Sequence, residues 1–512
     1  MSNALRNIYY RPEWTCGRYD PKSHVALFYN LIAGASHYFE DLSADVIGII
    51  LSLPRNGHID IERLSDISNI SEKSLKPFLD NLLQLGLLTT IKPDKSTISQ
   101  YRDLTICERR KKHQISKQKT QESYSHDDAE TAYEKRIGGI SNVMLELTYS
   151  CSEKCIHCYN IGATRNDNEK NHRGNFDHLS VDEYRRIIDE LYDAGLCRVI
   201  LSGGDPFSNA HIWDILDYLF AKEIAIDIFT NGISIVGKEK KVAKYYPRRV
   251  CLSLYSGSAT VHDSITRTNY SWDRTVSVIE NLTNLSIPTI IKCCVMKPNV
   301  KTYYTVSEIG KKLGVTVQFD LNVSDSIDGD RCVSNYLRLS QEQLEIVLRD
   351  PNTAMYVGED IENYGGIEIN KERNACKAGY HTFCITPDGN LIPCCAFHMV
   401  FGNLRTNSLE EILRNNPRLK WWRSLKVSDY EECGQHEYCS FCNFCVGLNY
   451  SEHGTPIKAA ENNCYMAKVR FRLATRMKNE QYDPLNGLTL QERLQSFPDM
   501  PIGKIQRIYN KR

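Results

Sequence analysis

From residue 142 to residue 321, short apolar runs alternate with longer amphipathic stretches. The runs at 143–147, 198–202, 225–230, 250–255, 289–296 and 316–321 read as strands. The stretches at 181–193, 211–222, 237–244, 272–285 and 302–313 read as helices, and Ser180 is placed to cap the first. Alternation of this kind predicts an α/β fold, a parallel sheet with helices outside it. Functional loops in such sheets lie at the C-terminal ends of the strands. The segments 151–158, 203–206, 230–232 and 253–256 all fall there, so four polar, glycine-rich or cysteine-bearing loops are expected to share one rim.

The first of these loops carries Cys151, Cys155 and Cys158 at C-x3-C-x2-C spacing. Three thiolates fit three corners of a cubane iron–sulfur cluster and leave one iron without a protein ligand. An open metal position can bind and polarise a substrate. The alternative is an incomplete zinc site. Zinc sites usually take four ligands in two pairs, and no fourth Cys or His stands at finger spacing. His157, between two cysteine ligands, is badly placed to reach the same metal.

Nineteen cysteines in a chain of 512 residues suit neither a short secreted disulfide scaffold nor chance. Metal or cluster ligation is the better use. The length allows about three domains. Lys plus Arg and Asp plus Glu both number 63, so no global field favours nucleic acid or membrane. No apolar run is long enough for a membrane span and no signal-peptide core opens the chain, which predicts a cytoplasmic location.

Residues 1–95 read as a separate unit. Strands are expected around 25–31 and in the Tyr- and Trp-rich segment before it, then helices over 44–53, 61–67 and 71–85. Ser71 is the N-cap of the last helix, Gly86 its stop, and a strand is expected to start over 87–91. This is a winged-helix pattern. Residues 55–90 carry five acidic against four basic side chains, so DNA binding would gain little from counterion release. A peptide-binding domain with an exposed strand edge fits better. Residues 96–137 read as a polar linker with one charged helix, and Arg109-Arg110-Lys111-Lys112 as a solvated face. The domain at 138–325 is followed by an irregular bridging region at 326–372 with a helix near 340–349. A cysteine-rich domain occupies 373–470, and a helical then basic tail 471–512.

The motifs together resemble the radical SAM superfamily, SPASM-domain subgroup. Cys151-x3-Cys155-x-His157-Cys158-Tyr159 is similar to its cluster signature. Ser202-Gly203-Gly204-Asp205-Pro206 resembles its "GGE" loop with Asp in place of Glu, and Thr230-Asn231-Gly232 the end of its third strand. Ser253-Leu254-Tyr255-Ser256, with His262 to Arg267 after it, resembles the fourth strand and its loop. Cys376-Lys-Ala-Gly379, Pro387-Asp388-Gly389-x4-Cys394 and the cysteines from 433 to 464 resemble the SPASM domain. The N-terminal unit is similar in outline to the leader-recognition domain of ribosomal-peptide maturases.

The resemblance implies a partial (β/α)6 TIM-type barrel and a [4Fe–4S] cluster whose open iron takes S-adenosylmethionine. Reductive cleavage then gives a 5′-deoxyadenosyl radical that abstracts hydrogen from substrate. It further implies that Gly203, Gly204, Asp205 and Pro206 meet the methionine end of the cofactor. Arg267 would pair with its carboxylate, Asn231 would lie at the cofactor, Ser253 would serve the ribose, and His157 and Tyr159 would lie near the adenine. Two auxiliary [4Fe–4S] clusters are implied. The first would use Cys376, Cys394 and Cys445, with Cys384, Cys395 or substrate as the fourth ligand. The second would use Cys433, Cys442, Cys464 and either Cys439 or His436, with Cys439 favoured because thiolate is the commoner ligand. Cys16, Cys107, Cys197, Cys251, Cys293, Cys294 and Cys332 show no ligand spacing and read as buried small apolar residues.

The expected function is cross-linking, thioether or carbon–carbon, of a ribosomally made precursor peptide held by its leader. The expected electron donor is a flavodoxin or ferredoxin. The rival readings are an oxidase of a folded protein or small molecule, and a zinc-bearing winged-helix transcription factor.

Overall fold

The computed structural model describes residues 7–115, 128–160, 178–327, 331–353, 355–358 and 370–500, without the side chains of 106–115. Six parallel strands form in chain order: Asn142–Glu146, Arg198–Ser202, Ala225–Thr230, Arg249–Ser253, Thr289–Cys294 and Thr316–Asp320. One face of these strands is wholly buried under helices, through Val143, Leu145, Val199, Leu201, Ile228, Leu252 and Ile291. The other face carries Met144, Ile200, Phe229, Ser253, Lys292 and Gln318, all partly exposed. That face lines an open lumen, as expected of a partial barrel. The first outer helix, Val181–Asp193, starts at a full capping box between Ser180 and Glu183.

The sheet does not end at the first barrel strand. Thr382–Ile385 adds beside Asn142–Glu146 in parallel, and Asn390–Ile392 and Gly402–Asn403 follow antiparallel, giving nine strands in one sheet. The cysteine-rich domain therefore grows directly from the barrel edge. Helices Val446–His453 and Glu461–Glu480 complete it.

The N-terminal domain has a three-stranded antiparallel sheet, Thr15–Asp20, Val25–Asn30 and Ala35–Glu40, packed on helices Asp41–Ser52, Ile61–Ser68 and Glu72–Gln84. Ser71 caps the third helix by accepting from the Ser74 amide at 3.3 Å. Residues 87–91 do not form the expected strand, and only Thr89 bridges, to Tyr10. Gly86 takes φ +66°, and the amides of Leu87 and Leu88 turn back to the Leu82 carbonyl, which buries both leucines under the helix end.

The polar stretch after it holds two helices, Lys95–Ile115 and Asp128–Ile137. Composition hid the second helix because its buried face is ionic. Glu130 is buried between Tyr29 of the N-terminal sheet (2.9 Å) and Arg198 of the second barrel strand (2.8 Å). Arg198 also meets Asp227 at 3.1 Å, and Arg248 meets Asp227 at 2.6 Å. Nearby, fully buried Arg11 donates to the carbonyls of Leu51 and Leu53 and to Glu223, at the turn before the third barrel strand. Arg55 lies over the Phe220 ring at 3.6 Å. The N-terminal domain is thus seated on the barrel at the end opposite the cysteine loop.

Among the remaining cysteines, Cys16, Cys197, Cys251 and Cys293 are buried as expected, but Cys332 is exposed and Cys294 only partly buried. Cys332 opens the helix Cys332–Leu337 and lacks the two flanking strands that bury Cys293. The side chains of Cys107 and of the 109–112 cluster, and the basic end at 501–512, lie outside the described residues. Among the described residues, no helix is long and apolar enough to cross a membrane.

Burial pushes the Glu130 carboxyl up, but Arg198 and Arg248 outweigh it and hold it below the usual carboxylate value. A depressed carboxylate contributes stability above its unfolded pKa and loses it as pH falls through the folded one. Glu130→Ala leaves Arg198 and Arg248 facing one carboxylate, with an expected cost of about 3–5 kcal/mol in urea unfolding at neutral pH. The difference from wild type should shrink below about pH 4; a pH-independent difference contradicts this.

Candidate functional site

The cysteine loop follows the first strand. Its shape depends on the loop after the second strand. The Gly204 amide donates to the Thr148 carbonyl at 2.6 Å and the Asp205 amide to Ser150 at 3.0 Å. A β-carbon on Gly203 would strike the Thr148 carbonyl, and one on Gly204 would meet the carbonyls of Tyr149 and Ser150. Gly203 also sits at φ +126°. The glycines admit the cysteine loop's own backbone, a role the sequence did not reveal. From the other side, the Lys154 and Ile156 amides donate to Thr266 and Ile265 at 3.0 and 2.9 Å. This places Arg267, exposed at the left-handed end of helix Ala259–Thr266, beside the loop.

Cys151, Cys155 and Cys158 come together in this frame, close enough that Cys158 opposes ionisation of Cys151 and both oppose ionisation of Cys155. Burial is the larger cause and, with the Asp205 and Glu153 carboxylates and the Cys158 thiol, raises Cys151 to about 12. Three clustered thiols of this kind fit a group that binds thiolates and compensates their charge, as an iron–sulfur cluster does. Asn231 orients the first of them, donating to Cys151 Sγ at 3.3 Å and Ser152 Oγ at 3.1 Å.

The other predicted residues divide into groups. Asp205 is fully buried and its carboxylate accepts from Thr230 Oγ1. Pro206 opens the short turn Pro206–Ser208. Ser253 ends the fourth strand, level with Lys292. The His157 ring packs edge-on to Tyr255 at 4.7 Å, and Tyr255 stacks on His262 at 5.5 Å. Burial lowers His157 to about 4, so this ring is neutral at physiological pH. Tyr159 departs from the expected grouping. Its hydroxyl lies beside Glu146 and Cys395, toward the cysteine-rich domain. Glu146, raised by burial to about 7, was missed by the sequence reading; the available signal was a lone charge ending an apolar strand.

In the cysteine-rich domain, Cys376, Cys394 and Cys445 gather, with Cys384 and Cys395 both beside Cys394. Cys433, Cys439, Cys442 and Cys464 line one cavity of about 210 Å³. His436 is exposed and stacks on Tyr438 at 4.9 Å, outside that set. Among the described residues, no three His, Cys, Asp or Glu side chains close on a single metal ion.

Comparison with known proteins agrees with this geometry. Residues 145–301 match the Radical SAM superfamily, and residues 376–445 match SPASM, an iron-sulfur cluster-binding domain. The chain is 24% identical over 343 residues to the antilisterial bacteriocin subtilosin biosynthesis protein AlbA of Bacillus subtilis, covering 66% of this chain and 71% of AlbA. It is 25% identical over 333 residues to the AdoMet-dependent heme synthase of Methanosarcina barkeri, covering 60% and 92%. The crystal structure of Streptococcus suis SuiB bound to precursor peptide SuiA shares the fold, with TM-score 0.53, 14% identity and coverage of 89% of this chain and 99% of SuiB. The cofactors that follow from the two domains are a [4Fe–4S] cluster with S-adenosylmethionine and auxiliary iron–sulfur clusters.

The cavity assigns a testable difference to two neighbours. Cys439→Ser is expected to lower the iron content of anaerobically prepared protein by about four atoms from about twelve. His436→Ala should leave it unchanged. Loss of iron in the histidine variant alone would reverse the assignment.

Proposed function

We propose that this radical SAM protein with a SPASM domain is a maturase of a ribosomally made precursor peptide, whose leader is held by the N-terminal domain while its core enters the barrel mouth. The observation that carries the reading is the fixed seating of the N-terminal domain on the barrel through Glu130, Arg198 and Arg11. Such a domain, tied to an enzyme at fixed geometry, converts core binding into an intramolecular step at high effective concentration. AlbA and SuiB add support, the first as a bacteriocin biosynthesis protein and the second by its precursor complex. An extended leader could add to the sheet of this domain as a strand.

When bound, the first cluster and S-adenosylmethionine supply a 5′-deoxyadenosyl radical able to abstract a substrate hydrogen. Cys151, Cys155 and Cys158 hold that cluster and Asn231 orients Cys151. The turn at Gly203–Gly204 offers backbone groups to the methionine end, and Arg267 a partner for its carboxylate. Ser253 serves the ribose, while neutral His157, with Tyr255, offers an apolar aromatic face to the adenine. Tyr159 belongs with the substrate side. Cys376, Cys394 and Cys445 hold the first auxiliary cluster, completed by Cys384, Cys395 or a substrate thiolate. Cys433, Cys439, Cys442 and Cys464 hold the second. The product is a cross-linked peptide, thioether or carbon–carbon, and the reductant is a flavodoxin or ferredoxin.

The test is incubation of reduced enzyme with S-adenosylmethionine and the precursor peptide encoded beside its gene. The expected result is 5′-deoxyadenosine together with a peptide lighter by two hydrogens for each cross-link. Deoxyadenosine without any change in peptide mass contradicts the maturase reading.

A further inference from the structure

The chain carries no net charge, but its charges are unevenly placed. Two stretches of the SPASM domain, 371–377 and 418–426, are tied together. The amides of Val427 and Ser428 donate to the carbonyls of Arg373 and Lys371 at 3.1 and 3.0 Å, and Asn374 bridges to Lys426. Helix Pro417–Ser424 is fixed to the same region. Its buried Trp422 donates to the Ala378 carbonyl at 2.6 Å, and Arg423 to that of Gly379 at 2.8 Å. The two stretches hold seven basic side chains against one acidic, Glu372. Lys377 pairs with Glu134 at 3.6 Å. Lys371, Arg373, Arg418, Lys420, Arg423 and Lys426 have no ion-pair partner among the described residues, and the first four are exposed. Trp421, one turn on from Arg418, is 39% exposed. Glu431 and Glu432, both exposed, bound this basic face on the side of Cys433.

Both sets of auxiliary ligands adjoin the face. Cys376 belongs to the first stretch, and its thiol lies beside Cys445. Arg373 and Val427 line the cavity of about 210 Å³ that Cys433, Cys439, Cys442 and Cys464 share. The cysteine loop, by contrast, is on the barrel rim, where a substrate must enter. Electron transfer falls off steeply with distance, so a carrier bound at the basic face would stand close to a cluster and leave the rim open. A nucleic acid or an acidic peptide would meet the same charge but would gain nothing from the cysteines behind it.

We propose that this face docks an acidic one-electron carrier protein, of the flavodoxin or ferredoxin kind, and passes its electron to the auxiliary clusters. The assignment rests on the reductant named for the maturase reading and adds where that reductant binds. The carrier loses one electron and the nearer cluster gains it; no bond forms or breaks in that step. Complexes of this kind are small and weak, and charge serves chiefly to bring the partners together. Unpaired lysines and arginines beside one exposed indole suit such an interface.

The experiment measures binding of an acidic flavodoxin and an acidic ferredoxin to the whole, anaerobically prepared enzyme by calorimetry. At least one should bind, with a Kd that rises about tenfold between about 50 and about 300 mM salt. Lys371→Glu with Lys420→Glu should raise that Kd about tenfold at low salt and slow reduction of the enzyme by the reduced carrier to a similar degree. Lys240→Glu with Lys244→Glu makes the same charge change at an exposed barrel helix and should shift Kd about twofold at most. Iron content, and deoxyadenosine formation driven by dithionite, which needs no docked protein, should match wild type in both variants. If the first reversal lowers iron content, Lys371→Gln with Lys420→Gln takes its place, with a rise in Kd of about threefold. Absence of binding to wild type, equal losses in the two reversals, or a loss that affects the precursor peptide and neither carrier overturns the proposal. Dithionite-driven turnover that leaves the precursor unchanged overturns the maturase reading by itself, since carrier binding is measured without the peptide.

Discussion

The close approach of two loop backbones sets the chemistry of this molecule. The α-carbons of Gly203 and Gly204 lie against the carbonyls of Thr148, Tyr149 and Ser150, where no side chain fits. Amides of the same turn donate to those carbonyls and hold the cysteine loop in place. The helix end at Ile265 and Thr266 holds the loop from the other side. Three thiols that would otherwise repel as thiolates are thereby kept together, ready for a cluster that stabilises them. Asn231 joins the loop to the third strand through Cys151, so loops from three strands and one helix define a single rim.

The base of the barrel carries the complementary constraint. Glu130, Arg198, Asp227 and Arg248 form a buried ionic group that links helix Asp128–Ile137 to strands from both sides of the domain junction. Such groups are poor sources of net stability but are costly to break singly. They therefore fix one arrangement of the N-terminal domain on the barrel. Any peptide held by that domain starts from one defined position relative to the rim. Between rim and SPASM domain, the common nine-stranded sheet keeps the two cysteine-bearing regions in register.

Much of this was legible in the sequence. The six barrel strands follow from apolar periodicity, since one face of each packs under helices. The three thiols of the cysteine loop follow from spacing, and Ser71 and Ser180 from capping chemistry. What stayed hidden depends on long-range pairing. Nothing local in residues 382–385 shows that they continue the barrel sheet. The helix Asp128–Ile137 reads as polar because two of its three buried residues, Glu130 and Glu134, are charged and find ion-pair partners far along the chain, in Arg198 and Lys377. Leu87 and Leu88 look like a strand but serve as the buried plug of a helix end. Tyr159 follows directly after Cys158, yet it faces Glu146 and Cys395 rather than the His157 ring, a separation that only the fold determines.

The central claim is that Cys151, Cys155 and Cys158 hold a cluster with one open iron that takes S-adenosylmethionine. Electron paramagnetic resonance of the reduced, anaerobically prepared protein tests it most directly. Adding S-adenosylmethionine should change the signal of one cluster in the wild-type protein, and that signal should be missing from the Cys151→Ala, Cys155→Ala, Cys158→Ala variant while auxiliary-cluster signals persist. A wild-type spectrum that does not respond to S-adenosylmethionine, or protein that carries zinc and no iron, would contradict the account.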